Sequence, residues 1–107
     1  MKLRVALAQI NPTVGDLEGN AALILAHAES AEISGAHIAL FPEMALTGYP
    51  VEDLALRPSF QVASANSIEV LAAALPKNLV SIVGYLDHRD GAPQNRVAVI
   101  SGGEIRA

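Results

Sequence analysis

The sequence has no cysteine among its 107 residues. Disulfide bonds, thiolate metal sites and a thiol nucleophile are therefore excluded within this chain. Charges, glycines and prolines interrupt every apolar stretch well before the ~18 residues that a membrane-spanning helix needs, so we expect no membrane partner. The first residues show no signal-peptide pattern, and we expect a cytoplasmic location.

Charged residues are scarce too, at 17% of the chain, and the 11 acidic residues outnumber the 7 basic ones. The formal net charge of −4 provides no basic surface to attract a phosphate backbone, so we expect no nucleic-acid partner. Apolar residues make up 51%, which excludes a disordered chain. A domain of this size buries only part of its surface, so a chain with this apolar content is predicted to be a piece of a larger protein.

The apolar pattern predicts a single α/β unit with a mixed sheet. Strands are expected over residues 3–10, 37–41, 79–85 and 97–101, with a last one that starts at Glu104 after a Gly102-Gly103 turn. Helices are expected over residues 21–34 and 59–75. The order β-α-β-α-β-β-(β) predicts a parallel βαβ start, antiparallel closing strands and helices on one face of the sheet.

The two predicted helices carry different signals. Asn20 is the predicted N-cap of the first helix, and Gly35 suits the left-handed position that ends it. The buried face of this helix is predicted to contain Ile24, Ala28 and Ala31. In the second helix, residues spaced three or four apart are predicted to face the core: Phe60, Ala63, Ser67, Leu71 and Ala74.

Glu43 is the strongest candidate for chemistry. It follows the strand predicted over residues 37–41 and Pro42, at the carboxyl end of a parallel strand, where open α/β sheets place their sites. A carboxylate held there suits a general base, and the alternative is a solvated loop glutamate. The irregular segment 43–58 has a length that is usually functional within a compact domain.

Tyr49 lies in the same segment, after Thr47-Gly48, where glycine gives the backbone room to turn sharply. Its ring and hydroxyl suit the lining of a pocket. The alternative is a tyrosine that caps the edge of the core.

Other polar groups favour structural roles. The three histidines have no spacing typical of metal ligands, so no metal site is predicted. Residues 15–19 (GDLEG) lack the Gly-x-Gly-x-x-Gly spacing and a following Gly-Lys-Ser/Thr, so they are not a phosphate-binding loop. Glu52, Asp53 and Arg57 are typical of a surface ion cluster that contributes little.

Five motifs follow one another along the chain: residues 5–12 (VALAQINP), Gly15-Asp16, Asn20, 41–49 (FPEMALTGY) and 95–105 (NRVAVISGGEI). In order and spacing they resemble the start of the nitrilase, or carbon–nitrogen hydrolase, superfamily, over essentially the whole chain. The continuation 49–58 (YPVEDLALRP) is more specific. It resembles the glutamine-hydrolysing domain of the glutamine-dependent NAD⁺ synthetases.

This resemblance implies an αββα sandwich with a Glu–Lys–Cys triad. In that family the cysteine attacks the amide carbon of glutamine, the glutamate is the general base, and the lysine stabilises the oxyanion. Glu43 matches the triad glutamate, and Tyr49 matches a position that lines the glutamine pocket. The lysine is expected shortly after residue 107 and the cysteine further on, since Lys2 and Lys77 match nothing.

The resemblance also implies partners and cofactors. In these synthetases, ammonia passes to a C-terminal domain that uses ATP and Mg²⁺ to amidate deamido-NAD⁺. Residues 1–107 resemble the first part, under half, of the glutaminase domain, so no cofactor is expected in this chain and the fragment alone is expected to be inactive. The whole protein is expected to be a homo-oligomer.

Two alternatives stay open. One is a fragment of a stand-alone amidase or nitrilase of the same superfamily, against which segment 49–58 favours the synthetase. The other is a small, complete α/β interaction module, against which the unfinished last strand and the missing phosphate loop both weigh.

Overall fold

The computed structural model describes residues 2–107. It contains five strands, two α-helices and a short 3-10 helix, in the order predicted for the strands and α-helices. The elements are β1 (Val5–Leu7), α1 (Leu17–Ile33), β2 (Ile38–Leu40), the 3-10 helix (Glu52–Leu56), α2 (Pro58–Ala74), β3 (Val80–Arg89), β4 (Ala92–Ser101) and β5 (Glu104–Ile105). Within residues 2–107 neither α-helix has the length and apolarity needed to cross a bilayer.

The strands form one mixed sheet whose spatial order equals the chain order, β1-β2-β3-β4-β5. β1, β2 and β3 run parallel, while β4 and β5 add antiparallel, which confirms the predicted topology. β1 and β2 are shorter than predicted, at three residues each. β2 soon meets Pro42, which has no N–H to continue a ladder.

The β3–β4 hairpin is longer than the sequence predicts. Residues 87–94, which lie between the strands predicted over residues 79–85 and 97–101, continue the antiparallel ladder to the pair Arg89–Ala92. Only Asp90 and Gly91 form the turn, with φ values of 53° and 80°. Positive φ at both positions is the geometry of two-residue hairpin turns. This end of the hairpin is held by backbone hydrogen bonds, so the polar composition of residues 87–94 did not reveal that they form strands.

The start of α1 differs from the prediction. Asp16, not Asn20, is the N-cap, and its Oδ1 accepts a hydrogen bond from the Gly19 N–H at 3.0 Å. Asn20 lies inside the first turns of the helix and is buried. The end of α1 is as predicted, because Gly35 has φ 84° and the next N–H, of Ala36, donates to the Ala31 carbonyl at 2.9 Å.

The buried face of α2 is rotated relative to the prediction. It contains Gln61, Ser64, Ile68, Leu71 and Ala72, of which only Leu71 belonged to the predicted face. The two polar residues are buried because each donates to main-chain carbonyls. Gln61 Nε2 donates to Ala55 O at 2.7 Å and Gly91 O at 3.1 Å, and Ser64 Oγ donates to Leu86 O at 2.7 Å. A count of apolar spacing cannot detect such partners.

Both helices pack on the same face of the sheet, as predicted. Their buried residues share one core with the strands, including Ile24 of α1, Ile68 of α2, Val83 of β3 and Ile100 of β4. The opposite face differs within residues 2–107: Leu86 is buried there in a second cluster with Met44 and Val51, but no helix covers the part formed by β1, β2 and Val97. Its apolar side chains are exposed to a large extent, with Leu7 at 68% and Val97 at 54%. We call this surface the open face; it comprises the exposed side chains of Val5, Leu7, Leu40 and Val97.

Candidate active site

Glu43 stands at the carboxyl end of β2, where the sequence placed it. The chain after β2 keeps its hydrogen bonds to β3, since the Phe41 N–H donates to Ile82 O at 3.0 Å and the Leu46 N–H donates to Gly84 O at 3.1 Å. The backbone that carries Glu43 is therefore attached to the sheet on both sides of this residue. The side chain itself is exposed.

Gly84 permits this turn to lie directly on β3. A Cβ placed on Gly84 would lie 2.5 Å from Met44 N and 2.7 Å from Pro42 O, distances that real Cβ atoms do not reach. Because both neighbours are backbone atoms, a side chain at this position could not be accommodated by a rotamer change. Because Gly84 has no side chain, the backbone of the turn that carries Glu43 can contact β3 directly.

The Glu43 carboxylate has a partner that the sequence reasoning missed. Asn95 of β4 donates from Nδ2 to Glu43 Oε1. The two residues are 52 positions apart. Asn95 stood in one of the quoted motifs, but no local pattern connects it to Glu43, and only the pairing of β3 with β4 brings the two together.

Asn20 of α1 also holds the segment that follows Glu43, through hydrogen bonds of its side-chain amide. Its Oδ1 accepts from the Thr13 N–H at 2.8 Å, and its Nδ2 donates to Thr13 O at 2.8 Å and to Leu46 O at 2.9 Å. Through these bonds the buried Asn20 amide links the loop before α1 to the segment after β2. A further bond, from the Gly15 N–H to Thr47 O at 2.8 Å, joins the same two segments.

Tyr49 follows the predicted sharp turn, in which Gly48 has φ 79°. A Cβ on Gly48 would lie 2.6 Å from Val14 Cα, so this glycine is required for close approach as well as for its backbone angle. The Tyr49 side chain is 70% exposed, which is inconsistent with a cap on the core. Among residues 2–107 the structure shows no hydrogen bond between Tyr49 and Glu43.

A shallow apolar depression of about 180 Å³ lies beside the Glu43 turn, at the carboxyl ends of β1 and β2. It is open to solvent and continuous with the open face through Leu7 and Leu40. Its lining consists of Leu7, Ala8, Gln9, Leu40, Phe41 and Pro42.

The remaining polar groups lie outside this site. His37 Nδ1 accepts a hydrogen bond from the Arg4 N–H at 2.9 Å and so has a structural partner. Within residues 2–107 no three acidic or histidine side chains gather in a way that could hold a metal ion. Glu52, Asp53 and Arg57 are exposed, and none of them forms an ion pair in the described part of the chain.

One ionisable cluster lies on the helix-covered side of the hairpin, away from Glu43. Arg96 Nε lies 3.5 Å from Asp87 Oδ2, and the Tyr85 hydroxyl is also 3.5 Å from that oxygen. Burial raises the pKa of Tyr85 above its usual value of 10.0, and the negative charge of Asp87 raises it further. Within residues 2–107 no hydrogen bond or ion pair joins this cluster to Glu43.

Comparison with known proteins assigns this sequence to a family. The family described as Carbon-nitrogen hydrolase matches residues 4–105. This chain belongs to the carbon–nitrogen hydrolase family. Its similarity to one group of family members is high: it is 40% identical over 105 residues to the glutamine-dependent NAD(+) synthetase of Thermotoga maritima, which covers 97% of this chain and 18% of that protein.

Solved structures agree with the family. The crystal structure of a glutamine-dependent NAD(+) synthetase from Cytophaga hutchinsonii superimposes with a TM-score of 0.90 at 27% identity, over 96% of this chain and 18% of that one. An amidase from Nesterenkonia sp. superimposes with a TM-score of 0.75 at 22% identity, over 98% of this chain and 41% of the amidase. The latter similarity shows the shared fold. This carbon–nitrogen hydrolase chain thus spans about a fifth of the synthetases that it matches.

Proposed function

We propose that this chain is the first part of the glutaminase domain of a glutamine-dependent NAD⁺ synthetase, and that Glu43 is the general base of that domain. The observation that carries the proposal is the position of the Glu43 carboxylate at the carboxyl end of β2, next to an apolar depression. The backbone on both sides of Glu43 is hydrogen-bonded to the sheet. The similarity to synthetases along 97% of the chain supports the choice of substrate.

Glu43 supplies one of three groups that amide hydrolysis requires. It takes the proton from a cysteine thiol, the thiolate attacks the glutamine amide carbon, and Glu43 then returns the proton to the leaving ammonia. A lysine stabilises the oxyanion of the tetrahedral intermediate. This chain has no cysteine, and Lys77 lies before β3, near the Gly103 turn. The nucleophile and the cation are therefore supplied by the rest of the domain.

The open face is where we expect the rest of the domain to pack. Val5, Leu7, Leu40 and Val97 expose apolar surface on one continuous side of the sheet. Strands that are apolar on both faces are typical of sheets covered on both sides. A second sheet on this face completes an αββα sandwich and encloses Glu43 at the junction.

Tyr49 is proposed to line the glutamine pocket, since its exposed ring is available to a substrate bound above the Glu43 turn. The ammonia released there passes to a synthetase domain that uses ATP and Mg²⁺ to amidate deamido-NAD⁺. The cytoplasmic location and the homo-oligomeric state of the whole protein stay predictions.

An amidase that acts on another small amide is the second candidate, because the same fold occurs in the Nesterenkonia amidase. Glu43 would have the same role there. The two candidates differ in product, since only the synthetase couples glutamine hydrolysis to formation of NAD⁺. Family membership favours either hydrolase over the small interaction module.

The test of the base uses the full-length protein that contains this chain. Glu43→Gln is expected to lower glutamine-driven NAD⁺ synthesis by about 10²- to 10⁴-fold, because the thiol loses its proton acceptor. Synthesis driven by added ammonia does not need this base and is expected to stay near wild type. Glu32→Gln, on the exposed surface of α1, is the matched control. Equal loss of both activities in Glu43→Gln would contradict the proposal.

A second test uses the 107-residue chain itself. Purified chain is expected to release no ammonia from glutamine, because loss of a nucleophile removes several orders of magnitude of rate. Addition of the remaining part of the domain in trans is expected to restore release. Substantial turnover by the chain alone would show that its chemistry does not depend on an external cysteine.

A further inference from the structure

We propose that Asn95 is a positioning residue that holds the Glu43 carboxylate in its reactive orientation; this rests on the proposed function of Glu43 as general base. The Asn95 amide donates from Nδ2 to Glu43 Oε1. The bond fixes one carboxylate oxygen and leaves the other to exchange a proton with the nucleophile.

The sheet aims Asn95 at this point. Asn95 pairs with Leu86 across the β3–β4 ladder, and Gly84, the contact point of the Glu43 turn, lies two residues before Leu86 on the same side of β3. Side chains two positions apart in a strand share a face. Asn95 and the Glu43 turn therefore meet on the same side of the sheet, the side that carries the open face.

Glu43 needs such a partner because the contacts that fix its backbone do not fix its side chain. Hydrogen bonds to β3 and the close contact with Gly84 fix the backbone. The exposed side chain retains its rotamer freedom, which is large for glutamate. Within residues 2–107, Asn95 gives the only side-chain hydrogen bond to this carboxylate. Rates of proton transfer and attack fall steeply when the reacting groups are misplaced.

An amide suits this task better than a cation. A lysine or arginine at position 95 would form an ion pair and strongly favour the charged carboxylate, which makes it a poorer base. The Asn95 amide is neutral, so it orients the carboxylate by a hydrogen bond without forming an ion pair.

The experiment uses the full-length protein with Asn95→Ala and Asn95→Leu. Leucine has nearly the size and shape of asparagine but has neither a donor nor a charge, so it removes the hydrogen bond without adding repulsion next to Glu43. Both variants are expected to lower kcat for glutamine-driven synthesis by about 10- to 100-fold, while KM for glutamine stays within about twofold. Ammonia-driven synthesis and the thermal midpoint are expected to stay at the wild-type level. Asn66→Ala, on the exposed side of α2, is the matched control.

Two outcomes would overturn the inference. Full glutamine-driven kcat in Asn95→Leu would show that donation from the amide is not needed. A parallel fall of glutamine- and ammonia-driven synthesis in Asn95→Ala would show a structural role only. Glu43→Gln separates the inference from the proposal on which it rests. If that variant is inactive with glutamine while both Asn95 variants are active, only the inference fails; if it retains activity, the general-base proposal fails and the inference with it.

Discussion

The two faces of the sheet are built from the same strands but differ sharply in composition. The face under α1 and α2 has small residues, including Ala39, Ser81 and Ala98, all almost fully buried. Their neighbours in sequence on the other face, such as Leu40 and Val97, are larger and substantially exposed. Small side chains on the covered face let the helices approach closely, whereas Leu40 and Val97 opposite are not covered by any element within residues 2–107.

This contrast separates stability from chemistry. The covered face holds the main core of residues 2–107, and the open face borders Glu43, Asn95 and the apolar depression. Burial of apolar side chains stabilises at about 25 cal/mol per Å² removed from water, so the covered face is expected to dominate the stability of this chain. The open face is expected to matter for association and turnover.

The largest expected effect compares one leucine from each side. Leu71 of α2 is 3% exposed and Leu7 is 68% exposed. Leu71→Ala is expected to lower the free energy of unfolding of the 107-residue chain by about 2–5 kcal/mol, because it leaves a cavity. Leu7→Ala is expected to change it by less than about 0.5 kcal/mol. Denaturant unfolding at low protein concentration measures both, and equal losses would show that the open face is covered in solution.

A smaller loss is expected where the Glu43 turn meets β3. Gly84→Ala places a methyl group against Met44 N and Pro42 O, and is expected to cost about 1–3 kcal/mol and to displace the turn. Gly91→Ala is the control for backbone strain alone, since nothing lies within 4 Å of its added Cβ but its φ of 80° disfavours a side chain. Amide NMR signals of residues 42–48 should shift in the Gly84 variant only. Unchanged signals there would mean that the turn does not depend on Gly84.

Association tests the open face directly. The isolated chain is expected to self-associate through its exposed apolar side chains. Leu7→Lys combined with Val97→Lys should weaken this association at least about tenfold, or about 1.4 kcal/mol, in sedimentation experiments. Val70→Lys, equally exposed but on α2, should leave it unchanged. A wild-type chain that is monomeric at high concentration would contradict the expectation.

The smallest effect concerns two buried serines. Ser81 Oγ has no hydrogen-bond partner within residues 2–107, whereas Ser64 Oγ donates to Leu86 O. Ser81→Ala is expected to be neutral or to stabilise the chain by up to about 1 kcal/mol, because it removes an uncompensated hydroxyl. Ser64→Ala is expected to destabilise by about 1 kcal/mol. Thermal unfolding of the two variants distinguishes them, and a loss in Ser81→Ala similar to that in Ser64→Ala would point to an unseen partner of Ser81.

Local signals predicted the regular elements well and their details less well. The glycine stop at Gly35 and the buried face through Ile24 are as predicted, because both depend on a few neighbouring residues. The N-cap at Asn20 was wrong, since a buried Asn that bonds the Thr13 backbone and the Leu46 carbonyl has the same residue type as a cap. The face of α2 was wrong because Gln61 and Ser64 are buried through bonds to the distant carbonyls of Gly91 and Leu86.

The order of strands and helices and the place of Glu43 at a strand end follow from the amino-acid sequence, because periodicity, Pro42 and Gly35 act over a few residues. Three other features required the folded chain: the bond from Asn95 to Glu43, the contact of Gly84 with the Glu43 turn, and the choice of which sheet face stays open. The first two join residues tens of positions apart, and the third depends on the side on which both helices pack. Such residues meet only when the strands pair and the helices settle on one side, so no local pattern could have specified them.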